Sequence, residues 1–140
     1  MPFNYPFPPP LPPHLPSRLS GVRVCPSLST GECQAVMRNS TVLVNSSTSE
    51  NMSNAILEAM SLGTPVIARD IHGNTSLITH GQTGLLYSCP EDFIRELERL
   101  LHDSGLRDRL VTAAKEQVTR LHSLRQEKDL LMSILEQAMQ

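Results

Sequence analysis

Residues 50–68 read ENMSNAILEAMSLGTPVIA, which is the pattern of a loop, a helix and a strand. The apolar spacing predicts a short helix that begins near Ser53 and ends at Gly63, followed by a strand over residues 65–68. An earlier apolar run at residues 41–44, TVLV, predicts another strand. A strand, helix, strand order with short links indicates parallel pairing. Because ligands bind at the carboxyl edge of an open parallel sheet, the loop at Glu50 is a candidate ligand site.

Two glutamates stand on either side of the predicted helix start. Glu58 lies about one and a half turns inside the helix, whereas Glu50 precedes it, so roughly the length of a ribose plus a diphosphate separates them. Between them, the backbone N–H groups of Met52, Ser53 and Asn54 and the positive end of the helix favour a phosphate. Ionised carboxylates only accept hydrogen bonds, so the two glutamates suit sugar hydroxyls.

The pattern continues downstream in a specific order. Ala59-Met60 follows the second glutamate, then come GTPVI at 63–67, HGN at 72–74 and GQTGLL at 81–86. Over about residues 28–121 this order resembles the donor-binding half of the retaining group 1 glycosyltransferases (family 4). The resemblance implies a B-type fold of two Rossmann-like domains. It also implies transfer of a hexose from a nucleotide sugar with retained configuration.

The resemblance assigns roles to individual residues. In the family, the first glutamate of the motif contacts the transferred sugar and the second holds the ribose, so the implied catalytic residue is Glu50 and the implied ribose ligand is Glu58. His72 and Gly73 are further candidates for phosphate or substrate contact, with an ordinary loop role as the alternative. Asn74 is expected to cap the next helix. The implied donor-binding set is Glu50, Asn51, Met52, Ser53, Asn54 and Glu58.

The chain departs from the family pattern in two ways. Many members have a Gly-Phe-Gly type of loop after the first glutamate, whereas residues 51–53 are NMS here. These residues offer backbone donors but adopt fewer left-handed conformations. The family's Arg and Lys pair, which neutralises the leaving diphosphate, has no match before Glu50, where the Arg and Lys residues are Arg18, Arg23 and Arg38. This chain alone is therefore expected to be an inactive transferase.

Length and composition divide the 140 residues into three parts. Residues 1–24 hold most of the prolines, which fix φ and supply no donor, and predict a disordered leader. Residues 25–123 are expected to form a partial nucleotide-sugar-binding α/β domain with a Rossmann-like parallel sheet, and residues 124–140 a C-terminal helix. This length fits one ordinary domain at most. We therefore expect a truncated form that lacks the acceptor domain and the first part of the donor domain.

Further local signals predict the remaining elements. Ser29 and Glu32 form a capping-box pattern at the start of a helix. Pro90 suits the first turn of a later helix, which Ser104-Gly105 is expected to stop. The other expected elements are a short helix from Asn74, a tight turn between Gly81 and Gly84, a strand over 84–87, and helices over about 106–121 and 124–138.

Composition argues against several other classes of function. A net charge of −2 leaves no basic field for nucleic acid. The three cysteines lack metal-type spacing, so we expect no metal and no cofactor beside the nucleotide-sugar substrate. No run approaches ~18 apolar residues, and the leader lacks a signal-peptide pattern. No membrane span and a cytoplasmic location are therefore expected, although a longer form with a different N-terminus could be secreted.

Proline spacing supports a rival function. Residues 13–18 read PHLPSR, the order that an extended ligand presents to an SH3-type domain. The alternative is thus a non-catalytic interaction or regulatory fragment with an SH3-type partner at Pro13–Arg18. An apolar stripe near the C-terminus and an uncovered sheet edge at residues 42–44 also predict self-association. The stripe comprises Leu130, Leu131, Ile134, Leu135 and Ala138.

Overall fold

The computed structural model describes residues 21, 22, 25, 27–121 and 124–138. Nearly all of the proline-rich leader, including the SH3-type motif Pro13–Arg18, lies outside the described residues. The leader, the SH3-type partner and the division into three parts therefore stay predictions.

The described chain is an α/β fold around a three-stranded parallel sheet, in which the strands lie in the order β1 (Leu43–Asn45), β2 (Val66–Arg69) and β3 (Leu85–Tyr87). In register, Val44 of β1 lies opposite Ile67 of β2, which lies opposite Leu85 of β3. This confirms the predicted partial Rossmann-like sheet with C-terminal helices. The elements are α1 (Thr30–Asn39), β1 (Leu43–Asn45), α2 (Asn54–Leu62), β2 (Val66–Arg69), α3 (His72–Thr75), β3 (Leu85–Tyr87), α4 (Pro90–His102), α5 (Ser104–Leu121) and α6 (Leu124–Ala138).

Local signals explain several of the element ends. The capping box at α1 is confirmed, because Ser29 Oγ accepts from the Glu32 N–H and the Glu32 carboxylate accepts from the Ser29 N–H at 2.8 Å. That backbone hydrogen bond, followed by the one from the Ser29 hydroxyl, lowers the pKa of Glu32. Gly63 ends α2 with φ of 83°, a left-handed conformation that glycine adopts without a steric cost.

Two predicted element ends are wrong. Gly105 does not stop a helix but lies in the first turn of α5, because Asp103 already separates the two helices. The Asp103 Oδ1 accepts from the Leu106 N–H at 2.8 Å and so caps α5. Asn74 does not cap the next helix either, since α3 begins at His72 with Ile71 at its N-cap. The strands also lie one or two residues away from the predicted bounds, because the parallel ladder decides which residues pair.

Apolar residues fill both faces of the sheet. Alternation along β2 places Val66 and Ala68 on the face covered by α2, and Ile67 on the face covered by α4. Helix α5 contributes to both clusters. The first cluster contains Ile56, Ala59, Met60, Val66, Ala68, Leu77, Ile78 and Ala114, and the second contains Ile67, Leu85, Tyr87, Leu100, Leu106 and Leu110.

Candidate functional site

The loop from Ser46 to Ser53 joins β1 to α2 and lies at the carboxyl edge of the sheet. Asn45, the last residue of β1, pairs in register with Ala68 and therefore faces α2. The position agrees with the predicted location of a ligand site. The candidate donor residues Glu50 to Asn54 are thus brought together at the start of α2.

Protein hydrogen bonds hold the carboxylate of the half-buried Glu50. Its Oε1 accepts from the Ser47 hydroxyl at 2.9 Å and from Asn45 Nδ2 at 3.4 Å. Among the described residues, Oε2 has no hydrogen-bond donor. One carboxylate oxygen is therefore held by the protein, and the other remains able to accept from a ligand hydroxyl.

The start of α2 has backbone N–H donors that no described residue engages. Ser53 is buried, and its hydroxyl oxygen accepts from the Ile56 N–H at 3.4 Å, while its carbonyl accepts from the Leu57 N–H. Within the described part of the chain, the N–H groups of Asn54 and Ala55 find no acceptor. Because a helix N-terminus carries partial positive charge, these two groups suit an anion. The side chain of Ser53 itself is engaged in capping.

Glu58 lies one turn further along α2 and is half-buried. The described residues include no hydrogen-bond partner for its carboxylate. Its place inside the helix that begins after Ser53 is as predicted, and its role as a ribose ligand stays a prediction. Met52, by contrast, is an exposed loop side chain with 52% of its surface accessible, so its backbone is the part that can contribute to a site.

The segment after β2 packs directly on the Glu50 loop. Gly73 is buried, and a β-carbon there would overlap the carbonyl oxygen of Glu50 and come within 2.9 Å of the Glu50 Cβ. His72 is exposed. Asn74 is fully buried, and its Nδ2 donates to the side chain of Asn45 at 3.2 Å. Of the two candidates His72 and Gly73, it is therefore Gly73 that packs against Glu50.

The sequence did not indicate Asn45 as a site residue. Asn74 was predicted to cap the next helix, whereas it lies buried beside Asn45. The available signal was a polar residue, Asn45, directly after an apolar strand and at the carboxyl edge. Nothing local indicated that Asn74 would be buried, because the amide of an asparagine in a short helix is compatible with capping, exposure or burial.

A cavity of about 340 Å³ lies on the opposite face of the same sheet edge. Arg69 ends β2 there, with its guanidinium 5.8 Å from the centre of the Tyr87 ring. The Arg69 Nε is buried and has no partner among the described residues. Sequence reasoning missed this cavity. Its lining residues are Val44, Ser46, Arg69, Tyr87, Ser88, Cys89, Pro90 and Phe93.

Two findings concern the described residues alone. In that part of the chain, no three His, Cys, Asp or Glu side chains come together as they would to hold a metal ion. None of its helices combines the length and the apolar character that a membrane crossing needs.

Comparisons with known proteins identify the family of this architecture. The family model "Glycosyl transferases group 1" matches residues 19–117. The chain is 44% identical over 117 residues to glycosyltransferase 1 domain-containing protein 1 of Xenopus tropicalis, a match that covers 84% of this chain and 34% of that protein. The chain thus spans about a third of the length of this relative.

Solved structures share the fold. The C-terminal domain of a glycosyl transferase group 1 family protein (LpcC) from Francisella tularensis aligns with a TM-score of 0.65 and 22% identity, covering 72% of this chain and 53% of that one. Anabaena Alr3699/HepE in complex with UDP-glucose aligns with a TM-score of 0.66 and 20% identity, covering 73% and 29%. These similarities concern the fold and agree with the C-terminal half of a two-domain glycosyltransferase.

Proposed function

Because this chain belongs to the group 1 glycosyl transferases, we propose that it carries part of a donor site for a nucleotide sugar, used to transfer a hexose with retained configuration. The observation that carries the proposal is the arrangement at the start of α2. A held carboxylate (Glu50), two backbone donors (Asn54 and Ala55) and a second carboxylate (Glu58) follow one another along the chain. Binding of UDP-glucose by the Anabaena protein of the same fold supports it.

Each group has a task that fits its chemistry. Glu58 accepts hydrogen bonds from the ribose hydroxyls, and the N–H groups at the start of α2 bind the diphosphate. Glu50 holds the transferred sugar through its Oε2 while charge develops on the diphosphate leaving group. Groups that interact more strongly in the transition state than in the ground state lower the barrier. We propose no metal in this reaction.

The 140-residue chain alone carries part of the groups that the proposed reaction needs. With no Arg and Lys pair before Glu50, charge developing on the diphosphate meets mainly backbone donors. We therefore propose that the chain binds a donor weakly and does not turn it over by itself. Arg69 does not supply the missing cation, because it lies on the opposite sheet face from Glu50.

A titration tests donor binding. Adding UDP-glucose to the ¹⁵N-labelled chain is expected to shift the amide signals of Asn54 and Ala55, because their N–H groups are the proposed phosphate donors. Amide shifts detect binding even when it is weak. Glucose without a nucleotide serves as the control ligand and should leave both signals in place. Unchanged signals for both amides at millimolar UDP-glucose would contradict the proposed donor site.

Replacing Glu58 by glutamine is expected to lower the affinity for UDP about tenfold or more. The substitution retains the shape but removes the charge, and hydrogen bonds to charged groups contribute about 1.5–3 kcal/mol. Glu98→Gln on the exposed face of α4 makes the same charge change away from the site and should leave the affinity unchanged. Equal affinities for the two variants would remove Glu58 from the site.

Exposed apolar residues on α6 favour self-association as a second property. Leu130, Leu131, Met132 and Ile134 are each about half exposed or more. Leu131→Lys is expected to raise the fraction of monomer in sedimentation at tens of micromolar, with little change in folding, because surface substitutions usually change stability by less than about 0.5 kcal/mol. Leu101→Lys, at an equally exposed position on α4, is the matched control. An unchanged association state in Leu131→Lys would argue against α6 as the contact.

A further inference from the structure

Asn45 makes four side-chain hydrogen bonds at the carboxyl edge of the sheet. Its Nδ2 donates to Glu50 Oε1 and to Ser53 Oγ, both at 3.4 Å. Its Oδ1 accepts from the Ser47 N–H at 3.1 Å and from Asn74 Nδ2 at 3.2 Å. One amide therefore links the carboxylate of Glu50, the N-cap of α2 and the loop between them.

Asn74 anchors this amide from a different part of the chain. It is fully buried, and its Nδ2 donates both to Asn45 Oδ1 and to the carbonyl oxygen of Arg69 at 3.0 Å. The bond between the two asparagines spans 29 positions and joins the end of β1 to α3. The Asn45 amide is thus held by a side chain that is itself hydrogen-bonded to the carbonyl at the end of β2.

An amide meets the requirements of both positions. Asn45 must donate to Glu50 and accept from Asn74 at the same time, and Asn74 must donate to two oxygens. The Oδ1 of Asn74 is buried without a hydrogen-bond partner among the described residues. A buried polar atom without a partner is unfavourable for stability. Asn74 is therefore poorly suited to a purely stabilising role, whereas one of its two donors is directed at Asn45 and, through Asn45, at Glu50.

We propose that Asn45 and Asn74 are positioning residues, which hold Oε1 of Glu50 so that Oε2 is presented to the sugar of the donor. This inference rests on the proposed function, in which Glu50 faces the transferred sugar. The Asn74 side chain donates to Asn45 and to the Arg69 carbonyl, so it acts on Glu50 through Asn45. The bond from Asn74 to Asn45 accordingly affects recognition of the sugar more than binding of the nucleotide, whose proposed donors are the backbone N–H groups at the start of α2.

The test compares UDP-glucose with UDP on the 140-residue chain. Asn74→Asp keeps the shape but replaces two donors by acceptors, so it repels both Asn45 Oδ1 and the Arg69 carbonyl. The ratio of the affinity for UDP-glucose to the affinity for UDP is expected to fall about tenfold in this variant, because UDP-glucose binds more weakly and the affinity for UDP is unchanged. Gln117→Glu is the matched control, because Gln117 also donates an amide hydrogen bond to a backbone carbonyl, Leu77 O at 2.7 Å, away from Glu50. A normal UDP-glucose to UDP ratio in Asn74→Asp, or an equal change in Gln117→Glu, would overturn the proposal.

A further measurement separates this proposal from the proposed function. Amide hydrogen exchange of residues 46–50 is expected to speed up about tenfold or more in Asn74→Asp and not in Gln117→Glu, whether or not the chain binds UDP-glucose. Absence of binding by the native chain would count against the proposed function, and unchanged exchange would count against the positioning role. If Asn74→Asp does not fold, Asn45→Asp at the half-buried strand end replaces it. It is expected to show the same selective loss for UDP-glucose and faster exchange, and normal values of both would overturn the inference.

Discussion

Replacing Gly73 by alanine is expected to destabilise the chain by about 1–3 kcal/mol and to displace the Glu50 loop. The added methyl group would overlap the carbonyl oxygen of Glu50, and its neighbours there are backbone atoms that cannot move aside cheaply. Displacing a catalytic group by about 1 Å can lower turnover about 100-fold. Chemical denaturation of the 140-residue chain measures the first effect.

A second glycine provides the control for this prediction. Gly31 lies in α1, and a β-carbon at that position would have no atom within 4 Å. Gly31→Ala should therefore stabilise the chain slightly, because alanine is the better helix former. If Gly73→Ala is as stable as the native chain and its residues 46–50 exchange amide hydrogens at the native rate, the loop does not depend on the close approach at Gly73.

Replacing Glu50 by glutamine is expected to lower turnover about tenfold to a hundredfold, with little change in the affinity for UDP. The substitution removes the charge that receives a sugar hydroxyl bond, and such charged hydrogen bonds contribute about 1.5–3 kcal/mol. Turnover of UDP-glucose is to be measured in a chimera that carries this chain in place of the matching segment of the Xenopus tropicalis relative.

Two comparison variants distinguish the loss of the Glu50 charge from the loss of a glutamate charge elsewhere in the chain. Glu116→Gln changes the same charge on the exposed part of α5 and should retain full turnover. Glu58→Gln, by contrast, should weaken binding of UDP itself. A Glu50→Gln chimera with native turnover would show that Glu50 is not the catalytic residue and that its hydrogen bonds to Ser47 and Asn45 only order the loop.

Local sequence patterns predicted the elements that build the site. The limits of α2 follow from the cap at Ser53 and the left-handed glycine at Gly63, and both signals act within a few residues. The alternation of strand, helix and strand predicted the parallel sheet. The motif from Glu50 to Gly84 indicated the family, because its residue types occur in a specific order. The roles of Glu50, Glu58 and the loop between them remain predictions.

Local patterns failed where a competing hydrogen bond decided the end of an element. Ser104-Gly105 carries a stop signal, yet Asp103 ends one helix and caps the next with a hydrogen bond to Leu106. The ends of the strands depend on the partner strand, so Leu43 and not Thr41 begins β1, opposite Val66. In both cases the sequence is compatible with more than one set of hydrogen bonds, and the sequence alone does not show which set forms.

The sequence alone determined that the chain has a parallel α/β fold of this family, with two glutamates around the start of a helix. The tertiary structure alone decided what holds the first of them. Asn45 and Asn74 meet across 29 positions, and Gly73 packs against the backbone of Glu50. Such contacts depend on the strand register and on how α3 follows β2, and no local propensity encodes them. Side chains that are far apart in the sequence become neighbours only when the sheet edge brings the strand ends together.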